Sequence, residues 1–315
     1  MGEAMDYQNF ISSKQIAVSQ SGFEPHNLSG SLFEYQRHCV EFALRAGRSA
    51  MFLDTGLGKT FCQLEYAREV VEHTNQPVLV LTPLAVAAQT AREADKFGID
   101  AKVIRDDGDV FNGVNIINYD RLDRLDVSQF SGVILDESSI LKNFSGKTRN
   151  QLVNAFRNTP YRLACTATPS PNDHTELGNH SEFLGVLNHA DMLPRWFIND
   201  TMNTGDWRLK GHAVRPFWDW VASWSRCVSK PSDLGFSDFG FDLPALNIER
   251  HVIDFESSAE SQGQLFASPE LSATGIHAVK KESAEHRSAK VAEMANGSDE
   301  PWLIWCDTDI EADHL

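Results

Sequence analysis

The stretch Ala50–Thr60, AMFLDTGLGKT, decides how this chain folds. Ala50–Asp54 is a short apolar run of the kind that forms a buried strand, and Thr60–His73 follows it with helical periodicity. Between them, Gly56 and Gly58 let the backbone curl tightly. The N–H groups of Thr55, Gly56, Leu57 and Gly58 can then point into one concavity. The helix that begins near Lys59 adds the positive end of its dipole. Strand, glycine turn, lysine, hydroxyl and helix together form a cradle for a phosphate chain. Lys59 would reach the terminal phosphates, and the Thr60 hydroxyl would ligate Mg²⁺. The full pattern G-x-x-x-x-G-K-[ST] asks for a small residue where this chain has Leu53. A glycine turn followed by an exposed lysine is the plainer reading, and the strand–loop–helix context argues against it.

The alternation of apolar runs and amphipathic stretches continues outward from about Leu32 to Pro169. Strands are expected at Val78–Thr82, Lys102–Ile104, Val114–Asn118, Gly132–Asp136 and Arg162–Thr166. Helices are expected at Ala85–Phe97 and Thr148–Arg157. Such alternation implies an α/β fold with right-handed crossovers and a parallel sheet. Ligands bind such sheets at the carboxyl ends of the strands, where the polar motifs fall.

One of those motifs is GVILDESS, Gly132–Ser139, which puts Asp136 and Glu137 just past an apolar strand. A carboxylate there can hold Mg²⁺ opposite Thr60, and its neighbour can deprotonate an attacking water. Alone, such a pair is usually a solvated turn; below a phosphate loop it marks a nucleotide hydrolase. TATPSPND, Thr166–Asp173, follows the next strand and offers two hydroxyls, from Thr166 and Thr168, near Glu137. A plain proline turn explains that segment about as well.

Taken in order, DTGLGKT, VLTPLAVAAQTARE, DESSILKN and TATPSPND resemble motifs I, Ia, II and III of the superfamily-two helicases. The flavour is closest to Swi/Snf-type and phage-encoded DEAD/DEAH-box members. The resemblance implies a RecA-like P-loop NTPase lobe using ATP and Mg²⁺. It implies Lys59, Asp136 and Glu137 as catalytic groups, with Thr60 and Asp136 on the metal. It further implies Thr166 and Thr168 coupling hydrolysis to nucleic-acid grip, and Gln36 in LFEYQRHCV reading adenine. Thr82 and Pro83, with Asn118 and Tyr119, fall where the family touches a nucleic-acid backbone.

The implied organisation is an N-terminal extension at 1–31, a RecA-like ATP-binding domain at 32–173, a mainly helical Trp-rich insertion at 174–244 and the start of a second RecA-like lobe at 245–315. Five of the seven tryptophans fall between Trp196 and Trp224, and Trp218 and Trp224 are read as packed. Ile276–Ala295 reads as one helix and Pro301–Asp307, PWLIWCD, as a buried strand. The family's Q-x-x-G-R-x-x-R type of motif does not follow it. The chain is therefore expected to be a fragment or a truncated enzyme that binds ATP and hydrolyses it slowly.

Composition narrows the alternatives. The 28 basic against 44 acidic residues of this 315-residue chain give a net charge of −16, which argues against a uniformly basic nucleic-acid binder. A local patch is still available. Arg195–Lys230 carries a net +3 with aromatics interleaved, and Arg208, Lys210 and Arg215 are its candidates for phosphate contact. No run of about 18 apolar residues offers a membrane span. The N-terminus lacks the basic and apolar blocks of a secretory signal. Five scattered cysteines form no C-x-x-C pair, which points to a reducing compartment, the cytoplasm (that of a bacterial host if the chain is phage-encoded). Two function classes follow: an ATP-driven motor on DNA, with RNA as the other polymer, or a nucleotide-gated binding module with little turnover. A different P-loop enzyme such as a kinase fits DESS and TATP poorly.

Overall fold

The computed structural model describes residues 20–142, 146–199, 207–241, 244–254 and 273–315. They fall in two compact units, Met1–Leu243 and Pro244–Leu315.

In the first unit the apolar runs form strands β1 (Arg48–Leu53), β2 (Val78–Thr82), β3 (Ala101–Val103), β4 (Val114–Asn118), β5 (Gly132–Asp136) and β6 (Tyr161–Cys165). A separate antiparallel pair follows, β7 (Phe197–Asn199) with β8 (Trp207–Leu209), and then β9 (Ser225–Val228). Seven of these strands make one parallel sheet in the order β3-β4-β2-β5-β6-β1-β9. Runs such as VLVLT and GVILD are mainly apolar and buried throughout because both faces of such a sheet are covered.

Two helical layers provide the cover. On one face lie α1 (Glu34–Ala46), α2 (Lys59–Thr74) and α3 (Ala87–Lys96), packing Val40, Leu64 and Ala94 against Met51, Leu53, Val78 and Val80. On the other lie α4 (Lys147–Ala155), α5 (Leu177–Leu184), α6 (His189–Trp196) and α7 (Val214–Trp224), packing against Ala50, Phe52, Leu79 and Leu81. Adjacent residues of one strand thus enter different cores, as the period of two requires.

The Trp-rich segment is helical, as expected, and it also completes the sheet. After α7 the chain adds β9 beside β1, with Leu53 level with Val228. The Asp54 amide donates to the Val228 carbonyl at 2.9 Å. The root of the glycine turn is therefore fixed by a residue from far down the chain. On α7 the inward face is Phe217, Trp220, Val221 and Trp224, a 3–4 spacing. Trp218 does not share it and is 39% exposed, contrary to the expectation that it packs like Trp224. Six residues of helix turn through about 600°, which leaves the two rings about 120° apart around the axis.

The second unit holds α8 (Ala273–Glu282), α9 (Ala284–Asn296) and α10 (Asp309–Asp313). The single helix expected at Ile276–Ala295 is two, separated at Ser283, whose hydroxyl donates to the Val279 carbonyl. Pro301–Asp307 is neither a strand nor buried: Leu303 is 79% and Trp305 87% exposed. A strand needs a ladder partner, and the described residues of this unit include no strand. Among the described residues no helix is long and apolar enough to cross a membrane.

Trp224 meets Phe52 and Trp220 edge-on, with ring centroids 6.1 and 5.4 Å away. Trp224→Ala is expected to cost about 3–5 kcal/mol in urea denaturation. Trp218→Ala is expected to stay within about 0.5 kcal/mol. Equal losses would refute this account of the helix faces.

Candidate functional site

The glycine turn between β1 and α2 takes the shape that its residues permit. Gly56 and Gly58 have φ of 83° and 71°, a region open to glycine at little cost. A side chain at Gly58 would also strike Gln36, since an added Cβ would sit 2.3 Å from its Nε2. The amides of Gly56, Gly58, Lys59 and Thr60 donate to no acceptor among the described residues. Unspent donors at the start of a helix fit a phosphate chain.

Helical spacing carries the site across to the acidic pair. Lys59 and Thr60 lie one turn before Gln63, on the same side of α2. Gln63 is fully buried, and its Nε2 donates to Asp136 Oδ1 at 2.8 Å. Lys59 Nζ stands 4.0 Å from Glu137 Oε1 and 3.4 Å from the Leu53 carbonyl. The loop and the acidic pair therefore face each other at one rim, flanking the tip of β6 between them. There the Thr166 hydroxyl donates to Glu137 Oε2 at 3.3 Å, and the Thr168 amide donates to Thr166 Oγ1.

The two carboxylates have different settings. Asp136 is 5% exposed, and burial pushes its carboxyl above the ordinary range; Glu137 adds to the rise, while Gln63 and Lys59 oppose it. Glu137 keeps 45% of its side chain open to solvent. Its backbone is left-handed, φ 53° and ψ 53°, a strained placement for a non-glycine residue and one that concentrates at functional sites. The donor set of one hydroxyl and one buried carboxylate, beside a phosphate cradle, fits Mg²⁺, which takes few protein ligands and completes its shell with phosphate and water.

Gln36 is tied to the loop. It donates to the Leu57 carbonyl at 3.0 Å and accepts from the Phe33 amide at 3.0 Å. Tyr35 donates to the same Leu57 carbonyl. Phe33, 57% exposed, lies beside this arrangement.

The residues expected to touch nucleic acid are more dispersed. Thr82 and Asn118 are buried at the ends of β2 and β4, and the Thr82 hydroxyl turns to the Pro83 carbonyl. Tyr119 donates to the Asp136 carbonyl at 2.6 Å, so it braces the acidic strand. Pro83 is partly exposed, beside Leu84 at 70%. Lys210 Nζ is bound to the Pro194 and Arg195 carbonyls at the end of α6. Arg208 is exposed on β8, and Arg215 is exposed on α7, 3.8 Å from Asp219. His180, buried against Phe52, pairs Nε2 with the Ser138 hydroxyl, and burial lowers it to about 4. That is a polar core role.

Sequence reading missed Gln63 and the bracing role of Tyr119. The signal for Gln63 was its place one turn beyond Thr60. Nothing local announces the Tyr119 contact, which depends on β4 and β5 both lying beside β2.

Comparison with known proteins adds family context. Residues 29–171 match the family model described as type III restriction enzyme, res subunit. The SWI/SNF-related matrix-associated actin-dependent regulator of chromatin subfamily A-like protein 1 of Xenopus laevis is 29% identical over 164 residues, 48% of this chain and 17% of its own length. The Xenopus tropicalis protein of that name is 27% identical over the same shares. The chain thus spans less than a fifth of these relatives. Among solved structures, the Sulfolobus solfataricus SWI2/SNF2 ATPase core in complex with dsDNA superposes with a TM-score of 0.57 at 20% identity, covering 69% of this chain and 48% of that one. The core domain of the same organism gives 0.53 at 20% identity, over 65% and 45%. At that identity the likeness is one of fold.

A pH test follows from the Asp136 setting. A carboxyl held above its ordinary value lets the folded state keep more protons than the unfolded one between the two values. Its contribution therefore falls as pH rises through that interval. Asp136→Asn removes the loss and keeps an oxygen for Gln63. The unliganded variant is expected to exceed the parent in stability at pH 7, with the gap closing as pH falls below the ordinary aspartate range. Urea denaturation across pH measures it, and a gap that widens on acidification would contradict the burial argument.

Proposed function

We propose that this chain, a superfamily-two helicase of Swi/Snf type in its matched region, is the ATP-hydrolysing lobe of a motor acting on DNA. The observation that carries the reading is the facing of Lys59 and Glu137 across the strand tips, with Thr166 bonded to Glu137. In this reading the unspent amides of the glycine turn and Lys59 bind the β- and γ-phosphates of ATP. Thr60 and Asp136 hold Mg²⁺, which supplies charge neutralisation on the phosphate oxygens. Glu137, the more solvated carboxylate, orients a water and accepts its proton. Its Oε2 is the acceptor of the Thr166 hydroxyl, so a change of charge on Glu137 is felt by the Thr166–Asp173 segment. In this reading the base would follow the loop back toward α1, beside Gln36 and the exposed Phe33.

DNA as the track is supported by the fold shared with an ATPase core whose structure was solved with dsDNA. In a chain of net charge −16, contact must come from local cations. Arg208 and Arg215, exposed in the Trp-rich segment, are better placed than Lys210, whose ammonium already donates to two carbonyls. His174, which follows the Thr166–Asp173 segment, packs edge-on against Trp218 at 5.1 Å, one turn from Arg215. This gives a route from the hydrolytic centre to that surface.

Two measurements test the proposal. Glu137→Gln is expected to keep nucleotide affinity and lose about 10²–10⁴ in hydrolysis rate, whereas Lys59→Ala loses binding itself. Turnover by Glu137→Gln at the parental rate would remove Glu137 as the base. Charge reversal at Arg208 and Arg215 is expected to weaken duplex binding and to flatten its salt dependence, by about one unit of slope for each phosphate no longer neutralised. An unchanged slope would move the DNA surface elsewhere.

A further inference from the structure

At the opposite ends of the same strands, three arginines converge. Arg48 is the first residue of β1 and stands in register with Arg162, the second residue of β6. Arg157 reaches the same place from beyond the end of α4. With Glu182, Gly185 and Asn188 they line a cleft of about 530 Å³. β1 runs its full length between this cleft and the glycine turn, so the two lie about 17 Å apart at some 3.3 Å per residue.

Charge in the cleft is not balanced. Arg162 is 3% exposed, and its guanidinium donates to the main-chain carbonyls of Thr159, Phe183 and Arg157, all neutral groups. Arg48 donates to the Pro160 carbonyl and Arg157 to the Asn154 side chain. No carboxylate among the described residues pairs with any of the three. Glu182, the one acid in the lining, is bridged to Arg149. Burial, and then the neighbouring Arg48, pull Arg162 down to about 10. A buried cation without a counter-ion is costly, and a second cation beside it raises the cost.

The space between them is open because position 185 carries no side chain. A Cβ there would lie 3.3 Å from Arg162 Nη1 and 3.4 Å from Arg48 Nη1. Both guanidiniums therefore lie against the same glycine, close enough together for one tetrahedral group to reach the two of them. Gly185 has φ of 69°, so the backbone also selects glycine at this point.

We propose that this cleft is an anion site for a phosphoryl group, either free phosphate or pyrophosphate or the phosphate end of a small nucleotide, held between Arg48 and Arg162 with Arg157 at the mouth. Guanidinium forks match tetrahedral phosphate oxygens and stay charged throughout the working pH range. Three cations call for more charge than one carboxylate brings, and the volume exceeds what a lone carboxylate fills. Arg162 is already fixed by its three carbonyls, so binding spends little side-chain entropy on it.

The test uses the full chain carrying Lys59→Ala, so that the phosphate loop does not compete. Isothermal calorimetry with pyrophosphate is expected to find one saturable site, weakened at least tenfold by Arg48→Gln and by Arg157→Gln. Arg157 is exposed, so its variant keeps the fold, and a thermal melt verifies this. Adenosine monophosphate in a parallel titration separates the sources: tighter binding than pyrophosphate marks a nucleotide ligand, and weaker binding marks a free phosphate. Absence of saturable binding for both, or affinity indifferent to both substitutions, would overturn the proposal. So would a result in which Arg48→Gln lowers only duplex-DNA affinity and its salt slope, because the arginines would then serve a nucleic-acid backbone.

Discussion

A single buried hydrogen bond, Gln63 to Asp136, sets the register on which the candidate site depends. Gln63 belongs to the helix that begins at the glycine turn, and Asp136 to the tip of a strand two places away in the sheet. Fixing one to the other fixes the whole turn opposite the acidic pair. The bond also moderates an unfavourable placement, because a carboxyl at 5% exposure resists ionisation and a donor on its oxygen offsets part of that. Glu137, one residue on, escapes the same burial by turning its backbone left-handed. Two adjacent acids thus receive distinct environments, one buried and hydrogen-bonded and one open to solvent.

The sheet makes this possible by keeping the three relevant strand tips rigid. Both faces are covered, and residues alternate between the two cores along every central strand. The middle tip, at Cys165, delivers Thr166 to Glu137, while its flanking strands deliver the turn and the acids. The opposite ends of the same strands gather cations instead. Parallel strands place like ends together, so one sheet presents two chemically different rims, one rich in unspent amides and acids and one in guanidiniums.

Much of this was legible in the chain. Val78–Thr82, Val114–Asn118 and Gly132–Asp136 were located to the residue, because short, mainly apolar runs between polar turns leave little alternative to a buried parallel strand. The motif loops then fell at the strand ends by topology alone. β9 was not legible: SRCV is four residues long and half polar, and its strand character comes from lying beside β1. Pro301–Asp307 erred in the other direction, apolar enough to suggest a strand but without a ladder to join. Thr82, Asn118 and Lys210 carry side chains suited to binding phosphate, yet their hydroxyl, amide and ammonium groups are buried or committed within the protein. Sequence shows which groups a residue owns, and only packing decides which of them remain available.

The pairing of Asp54 with Val228 bears on the order in which the molecule is made. Ribosomes release a chain from its N-terminus, so the glycine turn emerges long before the strand that anchors its root. Until Trp224 at the end of α7 has left the exit tunnel and packed on Phe52, the Asp54 amide has no Val228 carbonyl to bond. The last strand of the sheet to be made is thus the one that fixes the root of the turn.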